Sequence, residues 1–96
     1  MVVVMKFEWD EQKNAINFRK HGVWFEEAQT IWADDCSQEF FDPDHSEYED
    51  RYLRIGLSTA MRVLLVVFCE RHENSIRIIS ARKVTKSERK QYEKGI

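Results

Sequence analysis

The sequence predicts an α+β fold, in which an antiparallel β-sheet carries two N-terminal helices and one C-terminal helix. Two observations predict it. Helical spacing of apolar residues and helix-capping signals occur near the two ends of the chain, whereas the middle contains alternating or continuous apolar runs of strand length. The predicted order is one strand, two helices, four strands and a final helix.

Capping residues mark the N-terminal helices. Asp10 is a suitable N-cap for a helix over residues 11–20, and Gly22 supplies a left-handed residue after it. A second helix is predicted over residues 25–33, where apolar side chains recur at helical spacing. Its N-cap position holds Trp24, which has no acceptor group for capping.

The strands and the last helix follow from alternation and from turn residues. The run from Val63 to Phe68 is apolar at every position, which predicts a central strand covered on both faces. Thr85 and Glu88 form a capping box for a helix that ends at Gly95. The predicted strands cover residues 2–9, 38–41, 51–58, 62–71 and 76–83.

Composition is that of a soluble globular chain, and residues 1–96 are predicted to form one domain. No apolar run approaches the ~20 residues that a membrane-spanning helix needs. Cys36 and Cys69 have no metal-ligand spacing, and nothing in the sequence indicates export, so both are predicted to be free thiols in a cytoplasmic protein.

Charge is distributed unevenly along the chain, although its net charge is only −2. Residues 34–50 contain eight acidic residues and no Lys or Arg, whereas residues 82–94 contain six basic and two acidic residues. A face that binds a polyanion is therefore compatible with the near-neutral total. The acidic segment is interpreted either as a solubilising loop or as an attractant for a basic partner.

The strand over residues 76–83 combines apolar residues with cations. Strict alternation would place Ile76, Ile78, Ser80 and Arg82 on one face, and Arg77, Ile79, Ala81 and Lys83 on the other. Guanidinium groups on a rigid strand suit recognition of a phosphate. The alternative is that these arginines are solvated or paired at the ends of the strand, and the strand taken alone favours this alternative.

No metal or cofactor is predicted, because the chain has no Gly-rich phosphate loop, no HExxH motif and no Cys/His cluster. RNA cleavage by the 2′-hydroxyl needs only a base, an acid and cations around the phosphate. The predicted catalytic residues are Arg51, Arg77, Ser80, Arg82 and His21, and the predicted RNA-binding residues are Lys20, Lys83, Lys86, Arg89 and Tyr92.

Each of these residues could instead have a purely structural or solvent-exposed role. Arg51 would then pair with the acids that precede it, His21 would be an ordinary helix-end residue, and the cations of the last helix would form a solvated face. The general base is not assigned by the sequence.

An ordered series of segments resembles the BrnT toxin family. The segments are Phe7-Glu8-Trp9-Asp10, Lys13-x-x-x-Asn17, Lys20-His21-Gly22-Val23, Phe25-Glu26-Glu27-Ala28, Asp42-Pro43-Asp44-His45-Ser46-Glu47, Ile55-Gly56-Leu57-Ser58, Leu65-Val66-Val67 and Ile76-Arg77-Ile78-Ile79-Ser80-Ala81-Arg82. The resemblance runs from about residue 5 to residue 95 and leaves residues 1–4 as an extension. Arg51 stands where the family has an arginine at the start of its hairpin.

The resemblance implies a RelE-like ribonuclease fold and a type II toxin that cleaves RNA and inhibits translation. It also implies an antitoxin of the BrnA type with a ribbon-helix-helix DNA-binding part, and a complex through which operator DNA is bound. Two other hypotheses remain open. In one, the same cations belong to a non-catalytic module that binds nucleic acid or a partner. In the other, the chain is an inactive partner whose acidic segment neutralises a basic antitoxin.

Overall fold

A computed structural model of the chain describes residues 5–45, 49–72 and 74–95. The predicted extension at residues 1–4 and the first residues of the predicted first strand lie outside these ranges. The strands are β1 (Lys6–Glu8), β2 (Gln38–Asp42), β3 (Arg51–Leu57), β4 (Val63–Arg71) and β5 (Ser75–Lys83). The helices are α1 (Glu11–His21), α2 (Phe25–Ala28) and α3 (Lys86–Lys94), with 3₁₀ segments at Gln29–Ala33 and Pro43–His45.

The capping signals of the first and last helices are confirmed. The Asp10 carboxylate accepts hydrogen bonds from two backbone N–H groups in the first turn of α1, at 2.8 and 3.1 Å. Gly22 has a φ of 70° and ends that helix in the left-handed conformation. The Thr85 and Glu88 capping box is present at the start of α3, and Gly95 ends it with a φ of 72°.

The second helix differs from the prediction of one helix over residues 25–33. It is a single α-helical turn, α2, that continues as a 3₁₀ segment. Trp24 makes no capping hydrogen bond, as expected. Instead, the Asn14 side chain on α1 accepts from the backbone N–H of Phe25 at 2.8 Å and donates to Glu26 at 2.8 Å. A distant amide thus caps a helix whose own N-cap residue cannot.

Within the described residues, five strands form one sheet in the order β1-β5-β4-β3-β2. Strands β2 to β5 pair in the predicted antiparallel arrangement. Strand β1 is parallel to β5, with Lys6 opposite Ser75. The prediction of a wholly antiparallel sheet is therefore wrong for β1. Its partner lies at the other end of the chain, where no local sequence pattern identifies it.

A β-bulge in β5 changes which residues share a face. Val67 on β4 pairs with Ser80, whereas the next residue, Phe68, pairs with Ile78. Ile79 is therefore an additional residue, and the alternation shifts by one position after it. The face assignment predicted by strict alternation is wrong for this reason. One face of β5 carries Ile76, Ile78 and Ala81, and the other carries Arg77, Ser80 and Arg82.

The sheet has two unlike faces. The covered face packs against α2 and the 3₁₀ segment that follows it, in an apolar cluster made of Val23, Phe25, Ala28, Ile31, Leu64, Val66, Phe68, Ile76, Ile78 and Ala81. The open face carries a smaller cluster of Ile55, Val63 and Leu65, on which Val84 and Tyr92 pack. Strand β4 contributes buried side chains to both clusters, as predicted for a central strand.

Helix α1 is joined to the sheet by a buried polar side chain. Beyond the short strand β1, the outer edge of β5 meets Asn17, which is 5% exposed. The Asn17 amide donates to the carbonyl oxygens of Val23 and Ala81, both at 2.9 Å, and accepts from the Ala81 N–H at 3.1 Å. One side chain thereby takes the place of a neighbouring strand.

Candidate active site

Three of the predicted catalytic residues line one groove on the open face. The groove has a volume of about 370 Å³ and lies between β3 and β5, over β4. Arg51 comes from the start of β3, whereas Ser80 and Arg82 come from β5 after the bulge. The lining residues are Asp42, Arg51, Leu53, Leu65, Val67, Ile79, Ser80, Arg82 and Glu88. We call this the Arg51–Arg82 groove.

The Arg82 guanidinium is fixed by Glu88. Two nitrogens of Arg82 donate to the two carboxylate oxygens of Glu88, each at 2.9 Å, and one of them also donates to the Lys83 carbonyl at 3.1 Å. The hydrogen bond from Arg82 lowers the pKa of Glu88 to about 2, against the opposing effect of burial and with help from the Thr85 N–H. Because Glu88 also caps α3, Arg82 is tied to the start of that helix.

Carboxylates balance the cations in the groove. Asp42 lies opposite Arg51 in the register of β2 and β3, and Glu88 faces Arg82, so two acids and two bases line the same space. Neither acid is among the site residues predicted from the sequence. The capping box identifies Glu88 only as a helix-start residue, and the charge pattern identifies Asp42 only as part of the acidic segment.

Arg77 lies on the same face of β5 but does not line this groove. Cys69 on β4 pairs with Arg77 on β5 and with Arg51 on β3. The two arginines therefore flank the Cys69 thiol in one row across the sheet. Burial raises the pKa of the Cys69 thiol, and the nearby Glu49 carboxylate raises it further. Cys69 is therefore a buried, neutral thiol between two cations, and it is free, as predicted from the sequence.

His21 and Lys20 line a second, smaller groove of about 160 Å³. We call it the α1 groove, and its lining residues are Lys13, Ile16, Asn17, Lys20, His21, Ile79 and Ser80. Ile79 and Ser80 line both grooves, so the two adjoin at the bulge of β5. His21 is therefore separated from Arg51 and Arg82 by the Ser80 position.

Three predicted RNA-binding residues come together elsewhere. Lys83, Lys86 and Arg89 line a groove of about 240 Å³ at the start of α3. Arg62 lines it too, but its guanidinium is held by Glu27 and by the Gly22 carbonyl at 3.1 Å. The Glu27 hydrogen bond raises the pKa of Arg62. This cationic cluster is exposed and lies beside the hairpin that joins β3 and β4.

Tyr92 has a structural position. It packs on the apolar cluster of the open face, and its hydroxyl donates to the Asp34 carboxylate at 2.5 Å. Burial, followed by this hydrogen bond, raises the pKa of Tyr92 to about 12. The ring therefore attaches α3 to the sheet. The predicted role of Tyr92 in RNA binding stays a prediction, and any contact with RNA would have to use the part of the ring that remains exposed.

Metal-ligand clusters and membrane-spanning helices are both absent from the described residues. No group of three or more His, Cys, Asp or Glu side chains in residues 5–45, 49–72 and 74–95 is placed to hold a metal ion. In the same part of the chain, no helix has the length and apolar character to cross a membrane.

The family assignment follows from a comparison with protein-family models. Residues 9–88 match the model described as the ribonuclease toxin BrnT of a type II toxin-antitoxin system. The chain belongs to the BrnT family. The match includes the bulged strand and every residue that lines the Arg51–Arg82 groove, and it confirms the resemblance inferred from the sequence.

A solved structure shares the fold of this BrnT-family chain. The crystal structure of the Brucella abortus ribonuclease toxin BrnT, at 1.1 Å resolution, has a TM-score of 0.65 and 24% sequence identity. The similarity covers 86% of this chain and 100% of the Brucella chain. It therefore supports the α+β architecture with its mixed sheet. No curated protein matches the chain.

Proposed function

We propose that this BrnT-family toxin is a metal-independent endoribonuclease that binds the scissile phosphate in the Arg51–Arg82 groove. Cleavage of RNA at this site would inhibit translation. One observation carries the proposal: Arg51, Ser80 and Arg82, which are distant in the sequence, line the same groove on a rigid sheet. Membership in a family of ribonuclease toxins supports RNA as the substrate.

The chemistry needs no cofactor. The 2′-oxygen attacks the adjacent phosphorus and loses its proton to a base, while the bond from phosphorus to the 5′-oxygen breaks and that oxygen takes a proton from water. The products are a 2′,3′-cyclic phosphate and a 5′-hydroxyl. Arg51 and Arg82 stabilise the negative charge that develops on the phosphorane oxygens, and the Ser80 hydroxyl donates a further hydrogen bond.

The choice of general base follows from the two carboxylates of the groove. Glu88 is a weak base, because its pKa is about 2 and both of its oxygens bind Arg82. The other carboxylate that lines the groove is Asp42, opposite Arg51, and we propose it as the acceptor of the 2′-hydroxyl proton from this position alone. His21 could transfer a proton only if the scissile phosphate lay close to Ser80, where the α1 groove begins. Arg77 adds positive charge to the same face of the sheet.

The other parts of the proposal derive from the family. A type II toxin implies an antitoxin partner. We propose that this partner is a BrnA-type protein with a ribbon-helix-helix part, and that operator DNA is bound only through the complex. We further assign the fold to the RelE-like group and the protein to the cytoplasm.

The pairing of Arg82 with Glu88 favours a second candidate function. A guanidinium already engaged by two carboxylate oxygens has fewer N–H groups for a phosphate. In this alternative, the protein binds nucleic acid or a partner through its exposed cations and catalyses nothing.

Cleavage of RNA by the purified protein in EDTA tests the first candidate. We expect cleavage in EDTA, and we expect Arg82→Ala to lower the rate about 100-fold or more, as for removal of one donor to a developing oxyanion. Arg71→Ala is the matched control, because Arg71 is an ion-paired arginine outside the groove. It should retain full activity.

The contrary outcomes are distinct. Intact RNA, or cleavage that chelation abolishes, would contradict metal-independent catalysis. If the wild-type protein binds RNA without cleaving it and its induction leaves growth unaffected, the binding-module alternative is correct. Denaturation of Arg82→Ala would show whether lost activity reflects the missing guanidinium or an unfolded chain.

A further inference from the structure

We propose that the α1 groove is a second phosphate subsite, and that the substrate is a single RNA strand that crosses the edge of the sheet at Ser80. This inference rests on the proposed function, because it places the neighbouring phosphate relative to the scissile one. It adds Lys13 to the residues that bind RNA.

The bulge in β5 makes the two grooves continuous. Since Ile79 is an additional residue, Ser80 faces the Arg51–Arg82 groove while it remains at the border of the α1 groove. Strand β1 ends at Glu8, opposite Arg77, so within residues 5–45, 49–72 and 74–95 no strand covers the β5 edge beside Ser80. A chain bound over Arg51 and Arg82 can therefore continue past Ser80 onto α1.

The charges of the α1 groove suit a phosphate. Lys13 and Lys20 are two helical turns apart on α1, and both are exposed. No carboxylate is among the described residues that line this groove, whereas the Arg51–Arg82 groove contains two. Asn17 also lines this groove, and its amide is hydrogen-bonded to the backbone of Ala81 and Val23. These hydrogen bonds fix the position of α1 at the base of the groove.

The path also limits the form of the substrate. It turns from one face of the sheet to the surface of α1, around the edge of β5. A single strand can follow such a turn because its backbone is flexible, whereas an A-form duplex is stiff and presents its phosphates along a regular helix. Single-stranded RNA with at least two consecutive phosphates is the expected ligand.

Binding of a 2′-O-methyl RNA decamer tests the subsite, because this RNA lacks the attacking hydroxyl and stays intact. Fluorescence anisotropy would measure its affinity for the full chain at several salt concentrations. We expect the double variant Lys13→Ala/Lys20→Ala to bind roughly tenfold more weakly at low salt. Its slope of log affinity against log salt should fall by about 0.7, because the one phosphate of the subsite is no longer neutralised and each neutralised phosphate of a single strand contributes about 0.7 to the slope.

The matched control is Lys90→Ala/Lys94→Ala, which removes two exposed lysines of α3 that line neither groove. It should bind the decamer as the wild type does. A dinucleoside monophosphate, which has one phosphate, should bind equally to the wild type and to the Lys13/Lys20 variant. A duplex of the same sequence should bind more weakly than the single strand.

The inference is overturned if the Lys13/Lys20 variant keeps the wild-type affinity and salt slope, or if the Lys90/Lys94 control loses as much. It is also overturned if the wild type binds duplex as tightly as single strand, or binds no RNA. A cleavage assay on unmodified RNA separates the two proposals. Cleavage that is insensitive to Lys13 and Lys20 contradicts only the subsite, whereas binding without cleavage contradicts only the ribonuclease.

Discussion

The covered and open faces of the sheet use the same strands for different purposes. On the covered face, Leu64, Val66 and Phe68 of β4 are each 0% exposed and pack in a cluster without charged residues. On the open face, α3 covers only one part of the sheet, and the rest carries cations beside the apolar side chains of β3 and β4. The pleat of the strands thus separates the residues that stabilise the fold from those proposed to bind RNA.

The largest expected effect is on the covered face. Phe68→Ala should lower the free energy of unfolding by about 3–5 kcal/mol, because it leaves a cavity among fully buried side chains. Phe41→Ala is the matched control, since Phe41 lies in the same row across the sheet but is 51% exposed. Urea denaturation of both variants checks the prediction. Equal losses of unfolding free energy in the two variants would show that Phe41 at the sheet edge stabilises the fold as much as Phe68 at its centre.

A smaller effect is expected where α1 joins the sheet. Asn17→Ala should lower the free energy of unfolding by about 2–3 kcal/mol, because it leaves the buried N–H and C=O groups of Ala81 unpaired. Faster hydrogen exchange at the Ala81 amide should accompany this loss. Gln12→Ala, on the exposed side of the same helix, should change stability little. An Asn17 variant as stable as the wild type would mean that α1 is held by other contacts.

The smallest effect is expected on the open face, and it depends on pH. Glu88 has a folded-state pKa of about 2 against an ordinary value of 4.5. Its ion pair therefore stabilises the protein above about pH 4.5, and this contribution is lost as the pH falls towards 2. Glu88→Gln should cost about 1 kcal/mol at pH 7, since the pair is partly exposed to solvent.

Denaturation of Glu88→Gln at pH 7 and near pH 2 would check this dependence. The difference from the wild type should disappear at the lower pH. Glu93→Gln is the control on the same helix, because Glu93 forms a more exposed pair with Arg89 at 3.7 Å. A difference between Glu88→Gln and the wild type that is independent of pH would contradict the assigned role of the Glu88 charge.

Local signals in the sequence predicted the local structure. Asp10, Gly22, Thr85 and Gly95 define helix ends through contacts within a few residues, and each end is confirmed. The meander of β2 to β5 also follows from strand spacing and short turns. The membership of the chain in the BrnT family was equally evident from the order of its segments.

Long-range contacts were the part that the sequence did not predict. The parallel pairing of β1, the cap supplied by Asn14 and the bulge at Ile79 all depend on residues that are distant in the chain. The bulge matters most for the site, because one additional residue moves Ala81 into the core while Ser80 and Arg82 face the groove. Asp42 and Glu88 were missed because their nearness to the arginines is a property of the folded sheet.

The pairing of β1 with β5 has a consequence for synthesis of the protein. The first described strand pairs with β5, so this edge of the sheet forms only by closing a loop across a sequence separation of 69 residues, from Lys6 to Ser75. Such closure is slow, and it must wait until residues 75–77 have left the ribosome. We therefore expect the β5 edge of a nascent chain to stay unpaired until residues 75–77 have emerged.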